Sequence, residues 1–456
     1  MWCFMRASVR DVLSNVSKVA VVGATPKEGK VGNVLLRNII TYGFKGKVYP
    51  VNPKYDEIMG MKVYRSVKEI PDTIDVVLVA TPAPTVPQIL NDSINKGARL
   101  GVVISSGFKE AGNVEAQKEL EKIAAEGRVR ILGPNSAGIT ISRIGLHASI
   151  EVLPDKGMVG LAMQSGAMGG IVISRLRWLS SGVSFFLSIG NAADVGVEDA
   201  FEYALEDPET EAMVAYVEWV KNGRRFIEAG RRLNLKKPLC ILKGGRGSVS
   251  LRAVASHTGG LAGDYEVFKA AVRKTGGYLA DDVDDLVEVC EVLRRIKGVK
   301  GGRILIVSNS GGLSIVTASQ LEEAAVSLPL LTEAVKERMW RAAGKKFSGS
   351  NPVDFGGDSF MDQVVKAFTV DGLEKMFDLG VLVYVPTAAE KPEGMARAIL
   401  DTSSEFKIPV IGYFDGEGAR EVVKAVSSHI PCVTTSGNVS KAVKALQERT
   451  FFLSSN

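Results

Sequence analysis

The sequence predicts an α/β protein built from three successive doubly wound segments. Short apolar runs alternate with amphipathic stretches along most of the 456 residues, as in parallel sheets covered by helices on both faces. The apolar runs end in Gly, Ser, Thr, Asn or Pro in most cases, and ligands in such sheets bind at the carboxyl ends of the strands. The pattern of the second segment recurs in the third, which indicates a duplicated domain.

The first segment, residues 18–138, alternates five predicted strands with three predicted helices. Strands that are apolar throughout and separated by helices predict a parallel sheet. We therefore expect the loops that follow the strands to meet at one edge of this sheet. The predicted strands are 18–22, 48–53, 75–80, 101–107 and 130–135, and the predicted helices are 31–42, 85–96 and 113–127.

The loop after the first strand, residues 23–32, departs from the pattern of NAD-binding loops. Its glycines do not follow GxGxxG, and the second strand ends in Asn52, Pro53 and Lys54 rather than in an acidic residue that would hold a ribose diol. Lys54 favours an additional phosphate, and the loop amides with the helix start near Val31 form an anion site. We expect a phosphorylated nucleotide other than NAD, although the glycines could serve tight packing alone.

The second segment contains a further candidate anion site. A predicted strand over 157–163 leads into the turn 164–170 and then into a helix up to Leu179. The small residues of this turn leave the first amides of the helix open to a ligand. Three more strands, predicted over 183–189, 212–217 and 238–242, are followed by Gly190, Glu218 and Lys243.

His257 lies in a glycine-rich stretch, residues 243–263, for which the sequence predicts little regular structure. A connection of this length in a compact domain is usually functional or disordered. His257 is therefore either a surface histidine on a mobile loop or a reactive imidazole on a loop that changes position. Glu218 closes an otherwise apolar strand. It is either a solvated edge residue or the acceptor that fixes the tautomer of His257.

The third segment mirrors the second. The run 303–307 and its turn 308–313 correspond to the first strand and turn of the second segment, and two later runs correspond as well. No histidine occupies the equivalent loop at 415–418, so we expect the copies to have diverged, with the chemistry in the first. The predicted domains are 1–140, 141–298 and 299–456.

Composition and charge narrow the range of functions. The net charge of +5 is spread without a long Lys/Arg run, so a nucleic-acid partner has little support. The four cysteines have no metal-binding spacing, and the acidic run 281–285 predicts the negative first turn of a helix rather than a metal site. The N-terminal stretch is too short for a signal peptide and no apolar run reaches ~18 residues, so we expect a cytoplasmic protein without membrane contact.

Several of these motifs together resemble the α subunit of the ADP-forming acetyl-CoA synthetases. This family belongs to the nucleoside-diphosphate-forming acyl-CoA synthetases, which include succinyl-CoA synthetase. The third segment favours the acetyl-CoA type, because in succinyl-CoA synthetase the similar domain belongs to the β subunit. The resemblance implies a Rossmann-like CoA-binding domain followed by two flavodoxin-like domains. The matching stretches are Val22–Thr25 with Gly32–Asn33, Pro50–Pro53, Ile131–Gly138, Gln164–Ala167 and Ser256–Gly259.

The resemblance also implies roles for individual residues. His257 would become a phosphohistidine, stabilised by Glu218. The implied CoA contacts are Gly23, Ala24, Thr25, Lys30, Val31, Gly32, Asn52, Pro53, Lys54, Thr81, Pro82, Ser105, Ser106, Gly107 and Asn135, and the implied phosphate contacts are Gln164, Ser165, Gly166, Ala167, Gly259 and Gly260.

The implied reaction converts acetyl-CoA, ADP and phosphate into acetate, ATP and CoA. No segment is left over for an ATP-grasp domain, so the resemblance implies a separate β subunit that holds ADP or ATP and Mg²⁺, in an α2β2 heterotetramer. Two alternatives stay open. One is a related synthetase for another acid, such as an aryl acid, a branched-chain acid or succinate. The other is a CoA-binding regulatory protein without catalysis, against which His257, Glu218 and Gln164 argue.

Overall fold

The computed structural model describes residues 7–258, 263–299, 302–388 and 390–456, and it divides into two compact units. The first comprises the described residues up to Ser174 together with Gly182–Asp281, and the second comprises Arg175–Ser181 with the described residues from Asp282 onward. The predicted boundaries of three domains stay a prediction. Within the described ranges, no helix is long and apolar enough to cross a membrane.

The first sheet is a five-stranded parallel sheet, as predicted. Its strands lie in the order β2-β1-β5-β6-β7, so the chain changes direction between β1 and β5, which is where open α/β sheets bind ligands. Strands β5 and β6 are buried at every position, because helices cover both faces. The elements are α1 Val9–Leu13, β1 Lys18–Val22, α2 Val31–Tyr42, β2 Lys47–Val51, β3 Glu57–Ile58, β4 Met61–Lys62, β5 Val76–Val79, α3 Val86–Asn95, β6 Leu100–Val103, α4 Val114–Ala125 and β7 Arg130–Leu132.

The second sheet has seven strands in the order β14-β13-β12-β10-β11-β8-β9. The five strands from β14 to β11 are parallel, and the hairpin β8–β9 adds two antiparallel strands at the opposite edge. The change of direction falls between β10 and β12. The elements are β8 Gly138–Ile141, β9 Leu146–Ser149, β10 Lys156–Met163, α5 Gly166–Trp178, β11 Val183–Ser188, α6 Val197–Glu206, β12 Ala212–Val217, α7 Gly223–Lys236, β13 Leu239–Lys243, α8 Ser248–Thr258, α9 Tyr265–Thr275 and β14 Tyr278–Ala280.

One apolar core joins the first two sheets within the first unit. Buried side chains of β1 and α2 belong to the same cluster as those of β8, β9 and β11. A buried polar contact supports this packing, since the Asn38 amide donates to the Ser149 carbonyl at 2.8 Å. The loops at the carboxyl ends of the two sheets therefore belong to one compact body.

The third sheet, in the second unit, repeats the topology of the second. Its order is β16-β17-β15-β18-β19-β20, so β15, β17, β18, β19 and β20 correspond to β10, β11, β12, β13 and β14. This is the flavodoxin-like order expected from the repeated sequence pattern. The elements are α10 Val283–Arg295, β15 Ile304–Ser308, α11 Gly311–Glu323, α12 Glu333–Ala343, β16 Ser348–Gly349, β17 Val353–Asp354, α13 Met361–Val365, α14 Leu373–Met376, β18 Leu379–Tyr384, α15 Pro392–Thr402, β19 Val410–Phe414, α16 Ala419–Val426, β20 Cys432–Val433 and α17 Ser436–Ser454.

The acidic run at 281–285 has the helical role that the sequence predicted. Asp282 is the N-cap of α10, and its side chain accepts the Asp285 amide at 2.9 Å. Asp284 and Asp285 lie in the first turn, where the helix dipole favours negative charge. Among the described residues, no group of three or more His, Cys, Asp or Glu side chains could hold a metal ion.

The segment around His257 is more regular than the sequence predicted. The prediction of little regular structure over 243–263 is wrong for Ser248–Thr258, which form helix α8. Glycines at both ends of the stretch suggested a loop, but Leu251, Arg252 and Ala253 between them are good helix formers. The Ser250 hydroxyl accepts the amides of Arg246 and Gly247, each at 3.0 Å, at the start of the helix.

Candidate active site

The loop after β1 is shaped by two glycines that lie close to neighbouring backbone. Gly23 has φ +93°, and a Cβ there would lie 2.4 Å from the Ala80 carbonyl oxygen, while a Cβ on Gly32 would lie 2.0 Å from the Gly23 carbonyl oxygen. The packing role that the sequence left open is therefore present. The loop also faces the start of α2, where Lys30 makes no side-chain cap, so the first amides of the helix can still receive an anion.

Asn52 and Lys54 follow β2 at the same edge of the sheet. The Asn52 side chain donates to the Ala24 carbonyl at 2.8 Å and accepts the Lys54 amide at 2.9 Å. Asn52 thus ties the loops after β1 and β2 together, while Pro53 and Lys54 are exposed beside them. The sequence predicted Asn52 as a ligand contact, and in the structure its side chain holds the loop.

The remaining predicted CoA residues lie at the carboxyl ends of β5, β6 and β7. The Ser105 hydroxyl donates to the Thr81 carbonyl at 2.5 Å, and Ser106 and Pro82 are exposed. Asn135 has φ +57° and its amide donates to the Ser105 carbonyl at 2.9 Å. Sheet topology therefore brings this set to one edge, together with Gly23, Ala24, Thr25, Lys30, Val31 and Gly32.

A polar cluster that the sequence did not predict connects this edge to the second sheet. The Asn191 amide, just beyond β11, donates to Glu110 at 2.5 Å and to Gln117 at 3.1 Å. Glu110 also accepts the Gly107 amide at 2.6 Å, so that amide is already engaged. Burial raises the pKa of Glu110, but the Asn191 bond and the backbone amides outweigh burial and leave it below its usual value. The only sequence signal was an asparagine directly after a strand.

Gln164 follows β10 and connects the two strands at the change of direction in the second sheet. Its side-chain oxygen accepts the amides of Glu218 at 2.5 Å and Trp219 at 3.0 Å, and its nitrogen donates to the Trp219 carbonyl at 2.9 Å. We call this three-bond contact the Gln164 clamp. It fixes the chain on which Glu218 lies, and it engages the side chain of Gln164, a residue that the sequence predicted as a phosphate contact.

Ser165, Gly166 and Ala167 form the start of α5 beside the clamp. A Cβ on Gly166 would lie 2.6 Å from the Ala137 Cβ, so a small residue is needed there for packing. The Ser165 hydroxyl accepts the Met168 amide at 3.4 Å. The first amides of this helix have no partners within the helix, which keeps the predicted phosphate position chemically suitable.

Glu218 is only 4 % exposed, so the interpretation of a solvated edge residue is wrong. It interacts with the Tyr216 hydroxyl, whose pKa rises to about 12 through burial first and then through the charge and hydrogen bond of Glu218. Lys243, at the end of β13, donates to the Glu218 carbonyl at 2.7 Å. Gly244 leaves room for this arrangement, since a Cβ there would lie 2.4 Å from the Tyr216 hydroxyl oxygen.

His257 belongs to the last turn of α8, which leaves β13 through Gly244–Gly247. Its side chain lies outside the described residues, as do Gly259 and Gly260, so the predicted pairing of its imidazole with Glu218 stays a prediction. The other two histidines differ. His147 is buried against Thr140 at 2.7 Å, and burial lowers its pKa to about 4, while His429 is exposed.

The third sheet repeats the clamp without the acid. Asn309 follows β15, and its side chain bonds to the chain across the change of direction, as the side chain of Gln164 does. Its nitrogen donates to the Val385 carbonyl and its oxygen accepts the Val385 amide, each at 2.9 Å. Val385 stands where Glu218 stands in the second sheet. The predicted divergence of the two copies therefore extends to the acid as well as to the histidine.

Comparisons with known proteins show which families the chain is similar to. Residues 17–142 match the family described as a CoA binding domain, and residues 156–293 match the succinyl-CoA ligase like flavodoxin domain. The α subunits of ADP-forming acetate–CoA ligases II and I from Pyrococcus furiosus are 32 % and 34 % identical, each aligned over 96 % of this chain and over 97 % and 96 % of their own lengths. An ADP-forming acetate–CoA ligase from Methanocaldococcus jannaschii is 36 % identical over 76 % of this chain, which spans 49 % of that protein.

A solved structure extends the similarity to the fold of the whole chain. A dinucleotide-forming acetyl-coenzyme A synthetase 1 from Ca. Korarchaeum cryptofilum, in complex with phosphate and ADP, superposes with a TM-score of 0.90 at 32 % identity and covers 97 % of both chains. The sequence-based assignment of an α/β fold with a CoA-binding domain and flavodoxin-like domains is thereby confirmed. The chain belongs to the family of α subunits of ADP-forming acetate–CoA ligases.

Proposed function

We propose that this chain is the α subunit of an enzyme that converts acetyl-CoA, ADP and phosphate reversibly into acetate, ATP and CoA. The observation that carries the proposal is the buried Glu218, held by the Gln164 clamp at the change of direction of the second sheet. Its strand neighbour β13 leads directly into the helix that contains His257. A buried carboxylate next to a helix start and a histidine segment suits phosphoryl transfer.

In the first step, an oxygen of phosphate attacks the thioester carbonyl carbon. The C–S bond breaks, CoA leaves as thiolate and takes the proton that the attacking phosphate gives up, and acetyl phosphate remains. The open amides at Ser165–Ala167 stabilise the negative charge of the phosphoryl group. Such electrostatic stabilisation, together with positioning, supplies most of the catalysis in phosphoryl transfer.

In the second step, a ring nitrogen of His257 attacks phosphorus and acetate leaves with the electron pair of the P–O bond. Glu218 accepts the hydrogen bond of the other ring nitrogen and stabilises the charge that develops on the imidazole. A β-phosphate oxygen of ADP then attacks the phosphohistidine. The P–N bond breaks, its electron pair returns to the imidazole, and ATP forms.

The CoA position in this proposal is the carboxyl edge of the first sheet. The loop 23–32, the start of α2 and the exposed Lys54 offer amides and a cation to the phosphates of CoA.

We place ADP and Mg²⁺ on an ATP-grasp β subunit in an α2β2 complex, acting in the cytoplasm. Support for a partner is the similarity to relatives that are themselves named as α subunits.

The test of the proposed function is an acyl-CoA panel, assayed as ATP formation from ADP and phosphate with the β subunit present. We expect acetyl-CoA to give the highest kcat/KM. A preference for aryl, branched-chain or succinyl thioesters would reassign the acid. The absence of turnover with every thioester would favour the regulatory alternative.

Replacing Lys54 with methionine is expected to weaken CoA binding about two- to five-fold, the range of one exposed charge pair. Binding of 3′-dephospho-CoA should be unchanged, because the extra phosphate that Lys54 favours is then missing. Isothermal titration with both ligands measures this difference. Lys45→Met, an equal charge change before the amino end of β2, is the matched control, and equal loss for both ligands would contradict the assignment.

A further inference from the structure

Among the described residues, the ammonium group of the buried Lys243 donates only to backbone carbonyls. The residue is 4 % exposed, and its Nζ donates to the carbonyls of Glu218 at 2.7 Å, Gly245 at 3.4 Å and Gly244. An ammonium group has three donors and no acceptor. These three carbonyls match its donors, so no proton is left over for a phosphate or a thioester.

The three carbonyls belong to the two elements that the proposed chemistry requires to be aligned. Glu218 directly follows β12, and Gly244 and Gly245 begin the connection from β13 to α8. Gly245 has φ +77°, and a Cβ on it would lie 3.0 Å from Val254 of α8, so this short connection also packs against the helix. Lys243 therefore joins the position of Glu218 to the connection that leads into α8, the helix whose last turn contains His257.

Lys243 also contacts the helix that follows α8 in the sequence. The Lys243 ammonium lies 5.5 Å from the centre of the Phe268 ring on α9, the helix that follows residues 259–263. Phe268 is itself buried and belongs to the apolar core. One cation thus contacts the chain before and after the stretch that contains His257.

The positive charge of Lys243 also attracts the negative charge of Glu218. Burial lowers the pKa of Lys243, and attraction to Glu218 opposes that effect. A buried charge without partners is strongly unfavourable. The three carbonyls offset this penalty for Lys243, so that the lysine holds the chain after β12 and the chain after β13 together.

We infer that Lys243 is a positioning residue for phosphoryl transfer, which holds the connection before α8 and the helix α9 close to the backbone of Glu218. The inference rests on the proposed function for its catalytic part. Because all three donors are engaged by carbonyls, Lys243 acts through Glu218 and His257 and does not touch the substrates.

The test replaces Lys243 with methionine, an unbranched side chain that is one atom shorter and lacks the donors and the charge. We expect phosphorylation of His257 from acetyl-CoA and phosphate to slow about 10- to 100-fold, the scale for losing a residue that orients a reactive group. The KM for acetyl-CoA should stay within about two-fold, since the CoA edge is untouched. Ile241→Val, a buried change on the same strand, should leave both quantities unchanged.

Amide hydrogen exchange gives a second measurement that does not depend on the reaction. Residues 244–247 and α8 should exchange faster in Lys243→Met than in the wild type or Ile241→Val. Unchanged exchange, or labelling within two-fold of the wild type, would overturn the inference. If the wild type itself is not labelled, the proposed function fails, while hydrogen exchange still decides whether Lys243 anchors the segment. Lys243→Gln, which keeps two donors, replaces the methionine variant if that variant does not fold.

Discussion

Replacing His257 with alanine is expected to abolish the labelling of this chain by radioactive phosphate in the presence of acetyl-CoA. The imidazole is the proposed acceptor of the phosphoryl group, and removal of a covalent nucleophile lowers turnover by ~10³-fold or more. In the wild type the label should be stable in base and labile in acid, as phosphoramidates are. The reaction needs no β subunit, because the proposed acyl and phosphoryl sites both lie on this chain.

The control for this experiment is His429→Ala, which removes an exposed histidine in the second unit. Its labelling should equal that of the wild type. His147 is unsuitable as a control, because it is buried and bonded to Thr140 and its loss would disturb the core. A label that persists in His257→Ala at the wild-type level would show that another residue accepts the phosphoryl group.

Replacing Glu218 with glutamine is expected to slow labelling about 10- to 100-fold while the fold is retained. The amide has nearly the shape of the carboxylate, and the Gln164 clamp holds the Glu218 backbone rather than its side chain. What is lost is the negative charge that stabilises a cationic imidazole. Single-turnover labelling measures the rate, and the melting temperature reports the stability.

The same variant gives an independent optical signal. Tyr216 has its pKa raised to about 12 by burial and by Glu218, so removal of the charge should shift its absorbance titration toward lower pH. Glu228→Gln, an exposed acid on α7, should change neither labelling nor titration. If Glu218→Gln is labelled at the wild-type rate while the titration of Tyr216 shifts, Glu218 has a structural role and does not support the phosphoryl transfer.

The carboxyl-edge loops are the part of the site that the sequence predicted best. Residues such as Gly23, Asn52, Ser105 and Asn135 each follow an apolar strand, and parallel topology brings such positions together whatever the side chains are. Their individual roles were less predictable. The Asn52 amide and the Gly107 amide are engaged within the protein, since bonding to a neighbouring loop leaves no periodic signal in the sequence.

Helix α8 shows where local pattern was insufficient. Its eleven residues have good helix formers, but they lie between glycine-rich stretches that resemble a loop. Whether such a stretch becomes helical depends on packing, here on Gly245 against Val254 and on the bonds of Ser250 at the helix start. Helices of this length depend on tertiary contacts for most of their stability.

The sequence by itself determined the alternation of strands and helices along most of the chain, the repeat of one flavodoxin-like domain and the choice of His257 and Glu218 as candidates. These follow from apolar periodicity and from residue types at strand ends, which are local properties. Only the tertiary structure decided that Glu218 is buried, that Gln164 clamps its backbone and that Lys243 joins it to the histidine segment. Those contacts connect strands that are far apart in sequence, and burial and hydrogen bonding across them exist only once the sheet has assembled.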